Sequence, residues 1–163
     1  MGNVLRKKSS FVIASLTLAI LSTVFIAAQD RENGYSKMQG VVIQNLLEKA
    51  RKNDSWKMAL ITGEEEQIVF MNISPWTNPN NEIGMETHAF DQVILIAEGT
   101  GQSVLNGKTS QVKGGDLIFI PKGVLHNVIN QGKDKPLKII SFYSATDIPK
   151  DSIYKTKADE PND

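Results

Sequence analysis

Cysteine is absent from all 163 residues, and histidine occurs only twice, at His88 and His126. The missing thiols exclude a disulfide framework, a thiolate zinc site, an iron–sulfur cluster and a cysteine nucleophile. A surplus of either charge is absent too, since 18 Lys+Arg balance 18 Asp+Glu. Dedicated nucleic-acid binders carry a basic excess or stripe, so no nucleic-acid partner is expected. No G-x-x-x-x-G-K loop is present to cradle a phosphate. A serine–histidine–aspartate triad would have to draw its base from the same two imidazoles. What remains is an ordinary globular composition, 40% apolar and 22% charged, at a length that suits one domain.

The first 28 residues form a separate unit. Met1 to Ser10 carries Arg6, Lys7 and Lys8 and no acid, and Phe11 to Ala28 then runs uncharged. A cationic start followed by an apolar core reads as an export signal or an uncleaved membrane anchor. The run is longer than a signal core of about 7–15 residues and shorter than a span of about 20. Cleavage after Ala28 would put Ile26 at the −3 position, where a small residue is preferred. Both readings place the remainder outside the cytoplasm, in the periplasm or an equivalent space, and touch a membrane only through this segment if it is uncleaved. Residues 29–44 read as a linker, 45–154 as the folded domain and 155–163 as a polar, loosely held tail.

Within the domain the pattern is that of many short strands. Val41–Ile43 reads as a short strand. Asn45 followed by Glu48 matches a capping box and opens a short helix ending near Asn53. Strands are expected at 56–61, 65–73, 83–88, 92–97, 102–105, 109–112, 117–120, 126–128 and 137–143. Asn106-Gly107 is the signal for a type I′ hairpin, and Pro75 to Asn81 is a loop. Short strands with Gly, Pro and Asn turns and almost no helix point to an all-β sandwich or barrel.

Both histidines lie in distinctive segments. Gly115 to Asn130 reads GDLIFIPKGVLHNVIN, a turn glycine, a strand, a Pro-x-Gly turn and a strand that carries His126. Ile83 to Gly101 reads IGMETHAFDQVILIAEGTG. On a strand Glu86 and His88 point the same way, and Gln92 joins them if the strand resumes in register.

The later segment fits the second cupin motif, Gly-x5-Pro-x-Gly-x2-His-x3-Asn, at Gly115, Pro121, Gly123, His126 and Asn130. The earlier one resembles the first cupin motif: His88 fills the second histidine and Gly99 the closing glycine. Glu86 stands where a first histidine is usual, Gln92 where a glutamate is usual and Asn80 where the motif opens with glycine. The runs IGMETHAFDQ, EGTG, PLK and KTKAD are similar to small bacterial single-domain cupins of the conserved-barrel type, often labelled mannose-6-phosphate-isomerase-like. Members often carry histidines after the last strand; Ser144 to Lys155 has none here.

This resemblance implies a double-stranded β-helix, a jelly-roll barrel, around a divalent metal. The implied ligands are Glu86, His88, Gln92 and His126. Imidazoles with oxygen donors suit Mn²⁺, Fe²⁺, Ni²⁺ or Zn²⁺. Gln92 either ligates or hydrogen-bonds a water on the metal, and Glu86 can act as a catalytic base if it does not ligate. Gly99, Gly101, Gly115, Pro121 and Gly123 read as turn formers and Asn130 as the closer of a turn. Trp56, Trp76, Phe90, Phe119 and Phe142 read as core. The expected function is an exported metal-binding protein for a small oxygen-rich molecule: a carboxylic acid, a sugar or an enediol-like compound. As an enzyme it would be a dioxygenase, decarboxylase or isomerase. The alternatives are a non-catalytic binding module on the same barrel and a barrel without metal. Single-domain cupins often pair, which implies a homodimer.

Overall fold

The computed structural model describes residues 40–161. The expected signal or anchor, 1–28, and most of the linker lie outside the described residues. Among the described residues no helix is long and apolar enough to cross a membrane.

Helix α1 (Leu46–Lys52) comes first, followed by β1 (Lys57–Thr62), β2 (Gln67–Ile73), β3 (Gln92–Glu98), β4 (Thr100–Leu105) and β5 (Lys108–Lys113). Then come β6 (Leu117–Ile120), β7 (His126–Asn130), β8 (Leu137–Tyr143) and β9 (Ile153–Tyr154). One antiparallel sheet runs β6-β3-β8-β2-β1-β9 and the other β5-β4-β7. Alternation sends Val69, Met71 and Ile73 of β2 and Ile94 and Ile96 of β3 to one inner face, where Val112 and Val128 of the smaller sheet join the same core. This is the expected all-β jelly roll.

The outer face of the larger sheet buries Phe70, Ala97 and Ile140 with Ala50 of α1. Polar bonds hold the helix there: Arg51 Nε donates to Ala97 O at 3.1 Å, and Lys138 Nζ donates to Asn53 O just past the helix end. A cation suits that negative end of the helix dipole. The expected capping box does not form. Asn45 is left-handed, with φ 56°, and its side chain makes no cap bond, while Glu48 accepts from Lys52 at 2.6 Å instead.

The hairpin at Asn106-Gly107 is as expected, with φ of 47° and 79° at its two residues. Three other expectations change. Val41–Ile43 forms no strand. Ile83–His88 is not a continuous strand but a segment bridged to β7 at Glu82 and Glu86. Gly84, at φ 110°, breaks the ladder between the bridges. Trp76 and Phe119, expected in the core, are 53% and 55% exposed. Phe119 is on the outward side of an edge strand, alternating with buried Ile118 and Ile120.

Gly101 lies inside β4 rather than in a turn. A Cβ there would meet Ile129 O at 2.5 Å and Leu137 Cδ2 at 2.8 Å. Gly101→Ala is therefore expected to lose about 3 kcal/mol by overpacking. Gly107→Ala, with nothing within 4 Å, meets only the left-handed backbone and loses about 1–2 kcal/mol. Urea unfolding of the two variants tests this; equal losses would mean that crowding is not what requires glycine at 101.

The tail is not loose as far as it is described. Trp56 N donates to Lys155 O at 3.2 Å, and Lys157 Nζ donates to Glu82 O and Ile83 O at 2.9 and 2.7 Å. Lys155, Lys157 and Glu160 of the tail thus find partners outside it, which the bare count of polar residues does not reveal.

Candidate metal centre

The backbone brings Glu86 and His126 together. Glu86 N donates to His126 O at 2.9 Å and His126 N to Glu86 O at 3.0 Å, a reciprocal antiparallel pair. Residues so paired project on the same side. His88 is held two residues on, where its carbonyl accepts from Gly123 N at 2.8 Å. The Pro-x-Gly turn before β7 thus ties both histidine segments to each other.

The side chains converge. Glu86 Oε1 lies 3.3 Å from His126 Nε2 and 3.4 Å from His88 Nε2. One donor atom from each of the three falls within 4.8 Å of the others, the spacing of ligands around one ion. His126 Nδ1 lies 2.9 Å from Val124 O, so it carries the hydrogen and leaves the lone pair of the neutral ring on Nε2. Both Nε2 atoms are buried without a hydrogen-bond partner. The Glu86 charge among these donors needs a cation near it, and two imidazoles with a carboxylate could hold a divalent transition metal.

Without a metal, protons serve that need. Burial opposes the charge on Glu86, but His126, His88 and the Lys57 ammonium outweigh it and hold its carboxyl at about 2. Burial disfavours the charged form of His126, yet Glu86 and the Val124 carbonyl reverse that and raise its pKa above the ordinary value.

The His88 ring is fixed by aromatics. Phe90 stacks on it at 4.8 Å, and Tyr143 meets it edge-on at 5.6 Å. Asp147 Oδ1 stands 3.9 Å behind Nδ1. Burial pushes the Tyr143 phenol well above its usual value, so it remains protonated. Neither Tyr143 nor Asp147 stands out in the sequence; the only hint is that Tyr143 closes the last long strand of the barrel.

Gln92 is placed next to this group rather than within its contacts. It is 1% exposed on the inner face of β3, in register with Tyr143 of β8. Its amide nitrogen donates to Ser141 Oγ at 3.3 Å, and its Oε1 is buried without a partner. Asn130 closes a turn as expected, and Asp91 accepts from Lys122 N at 2.8 Å, joining its segment to the Pro-x-Gly turn.

The centre opens into a cavity of about 520 Å³ lined by Lys57, Glu86, His88, Phe90, Asp147 and Glu160 among others. A larger hollow of about 700 Å³ lies beside Val42 to Lys52 and contains no histidine.

Residues 77–143 match a family model described as cupin domain, a span that contains Glu86, His88, Gln92 and His126. The chain is 32% identical over 123 residues to an uncharacterized protein of Acanthamoeba polyphaga mimivirus, which covers 72% of this chain and 74% of that one. The chain belongs to the cupin family. The cupin is also 32% identical over 125 residues to the uncharacterized protein YrkC of Bacillus subtilis, covering 72% of this chain and 64% of that protein's length. A crystal structure from Bacillus halodurans superposes with a TM-score of 0.69 at 29% identity, covering 76% of this cupin and 95% of that chain.

Proposed function

We propose that this cupin holds a divalent transition metal on Glu86, His88 and His126, with Gln92 beside it, and binds and transforms a small oxygen-rich molecule there. The observation that carries this is the pair of buried, unpartnered Nε2 atoms facing one carboxylate. When bound, the metal supplies a Lewis acid for ligand oxygens. Val124 O sets the tautomer of His126, while Phe90 and Tyr143 hold the plane of His88. A carboxyl held at about 2 is ionised throughout the neutral range and is a weak base, so ligation is the role proposed for Glu86. The unpartnered Oε1 supports Gln92 as a neutral oxygen ligand or as an acceptor for a coordinated water.

Elemental analysis of the purified protein tests the reading. Near one equivalent of Mn, Fe, Ni or Zn is expected, falling at least about tenfold in Glu86→Gln. Equal trace metal in both proteins would refute the centre. A screen of acids, sugars and enediols with Mn²⁺ or Fe²⁺ then separates an enzyme from a binding module, since a module binds without turnover. Export belongs to the same proposal, supported by the cationic start and the apolar run of Phe11 to Ala28. N-terminal sequencing of protein recovered outside the cytoplasm is expected to begin at Gln29 if the segment is a cleaved signal, and at the original start if it is an anchor.

A further inference from the structure

Lys57 is 6% exposed, at the start of β1, and a buried ammonium needs a charged or well-bonded partner. It has one in Glu160, whose Oε1 accepts from Lys57 Nζ. The other oxygen of that carboxylate, Oε2, accepts from Trp56 Nε1 at 2.8 Å. Two donors on adjacent residues thus take both oxygens of one carboxylate. Lys57 and Glu160 line the same cavity as Glu86 and His88.

We propose that Lys57 and Trp56 form a carboxylate seat in the wall of the metal centre's cavity. Glu160 fills it in the resting protein, and the molecule bound at the centre is a carboxylic acid whose carboxylate replaces Glu160. This rests on the proposed function and selects one of its three substrate classes.

The selection follows from what each class does to Lys57. Exchange of one carboxylate for another leaves the buried ammonium paired. A sugar or an enediol offers no charge, so displacing Glu160 with either would leave the buried Lys57 without its directly bonded carboxylate. The exchange also leaves the charge of the cavity unchanged. Glu86, Asp147 and Glu160 already line it beside Lys57, and an entering anion adds no net charge when Glu160 leaves. Glu160 is the partner suited to leave. Its side chain is 26% exposed against 7% for Lys57, and it stands just after the short turn Lys157–Asp159 rather than in a sheet.

Calorimetric titration of the full chain with succinate, and with glycerol as the neutral probe, tests the seat with and without Mn²⁺. Glu160→Gln keeps the shape and removes the competing charge, so it is expected to bind succinate about tenfold more tightly than the wild type. Trp56→Phe removes only the N–H donor and is expected to weaken succinate several-fold. Lys57→Met is expected to lose succinate binding, and Lys57→Arg to retain it. Glycerol is expected to be unchanged throughout. Should Lys57→Met fail to fold, Glu160→Gln and Trp56→Phe carry the test. Equal succinate affinity in the wild type and Glu160→Gln, or glycerol binding as tightly as succinate, overturns the proposal. The Mn²⁺-free titrations keep the two readings apart. A gain in Glu160→Gln without metal uptake preserves the seat while the metal centre fails. Mn²⁺ uptake without that gain removes the seat and leaves the metal centre standing.

Discussion

His126→Ala is expected to lose divalent-metal affinity by more than about a hundredfold, beyond the 10–100-fold that outer-shell changes cause. His126 is the most enclosed of the three proposed ligands, its side chain 1% exposed against 13% for His88 and 27% for Glu86. The companion expectation concerns pH. In the metal-free protein the raised pKa of His126 contributes stability that is present below 6.5 and lost as pH rises through the raised value. The depressed pKa of Glu86 contributes stability that is present above 4.5 and lost as pH falls through about 2. The bare centre therefore stabilises the fold most between 4.5 and 6.5. A metal requires His126 neutral, so it competes with the proton that Glu86 holds there. The rise in Tm on adding Mn²⁺ is expected to grow from about pH 6 to about pH 8, reaching the equivalent of about 2.7 kcal/mol at a hundredfold excess over Kd. In His126→Ala both the increment and the metal-free decline with pH disappear. Differential scanning calorimetry across that range checks both, and a metal increment that shrinks with rising pH would refute the coordination of His126.

The parts of this centre differ in how far a sequence can show them. His126 was legible through the resemblance to the second cupin motif, whose turn residues Gly115, Pro121 and Gly123 stand at a set spacing from it. β6 has the expected ends for a similar reason: it is an apolar run bounded by Asp116 and Pro121, and β8 begins directly after Pro136. Glu86 and His88 meet as expected, but not by the route of strand alternation. Gly84 interrupts the strand, and the meeting comes from a reciprocal bridge to His126 that no local pattern encodes. Lys57, Asp147 and Glu160 reach the cavity from β1 and the segments beyond β8, and Tyr143 of β8 meets the His88 ring. Their placement depends on which strands become neighbours, and hydropathy does not determine that order. The exposure of Phe119 fails in the same way, since its strand reads as buried until its place at the sheet edge is known.

Asn130→Ala is expected to have the opposite signature, a loss of about 3–5 kcal/mol of stability with metal affinity changed no more than about threefold. Asn130 is fully buried, and its amide nitrogen lies within 3.0 Å of the carbonyls of Ile73, Ser74 and Lys135. Its Oδ1 accepts from Gly132 N at 2.7 Å. One side chain thus joins the end of β2 to the loop between β7 and β8. Alanine removes all of these bonds, one buried and three part-buried, and each polar group left unpaired loses about 1–3 kcal/mol. Asn130 is four residues along β7 from His126, about 13 Å at the rise of a strand, and touches none of the three ligands. Urea unfolding in EDTA gives the stability and Mn²⁺ titration of the folded variant gives the affinity. A variant of ordinary stability that no longer holds metal would place Asn130 in the centre itself. The expected result separates two of the polar residues of β7: His126 for the proposed metal, and Asn130 for the barrel that presents it.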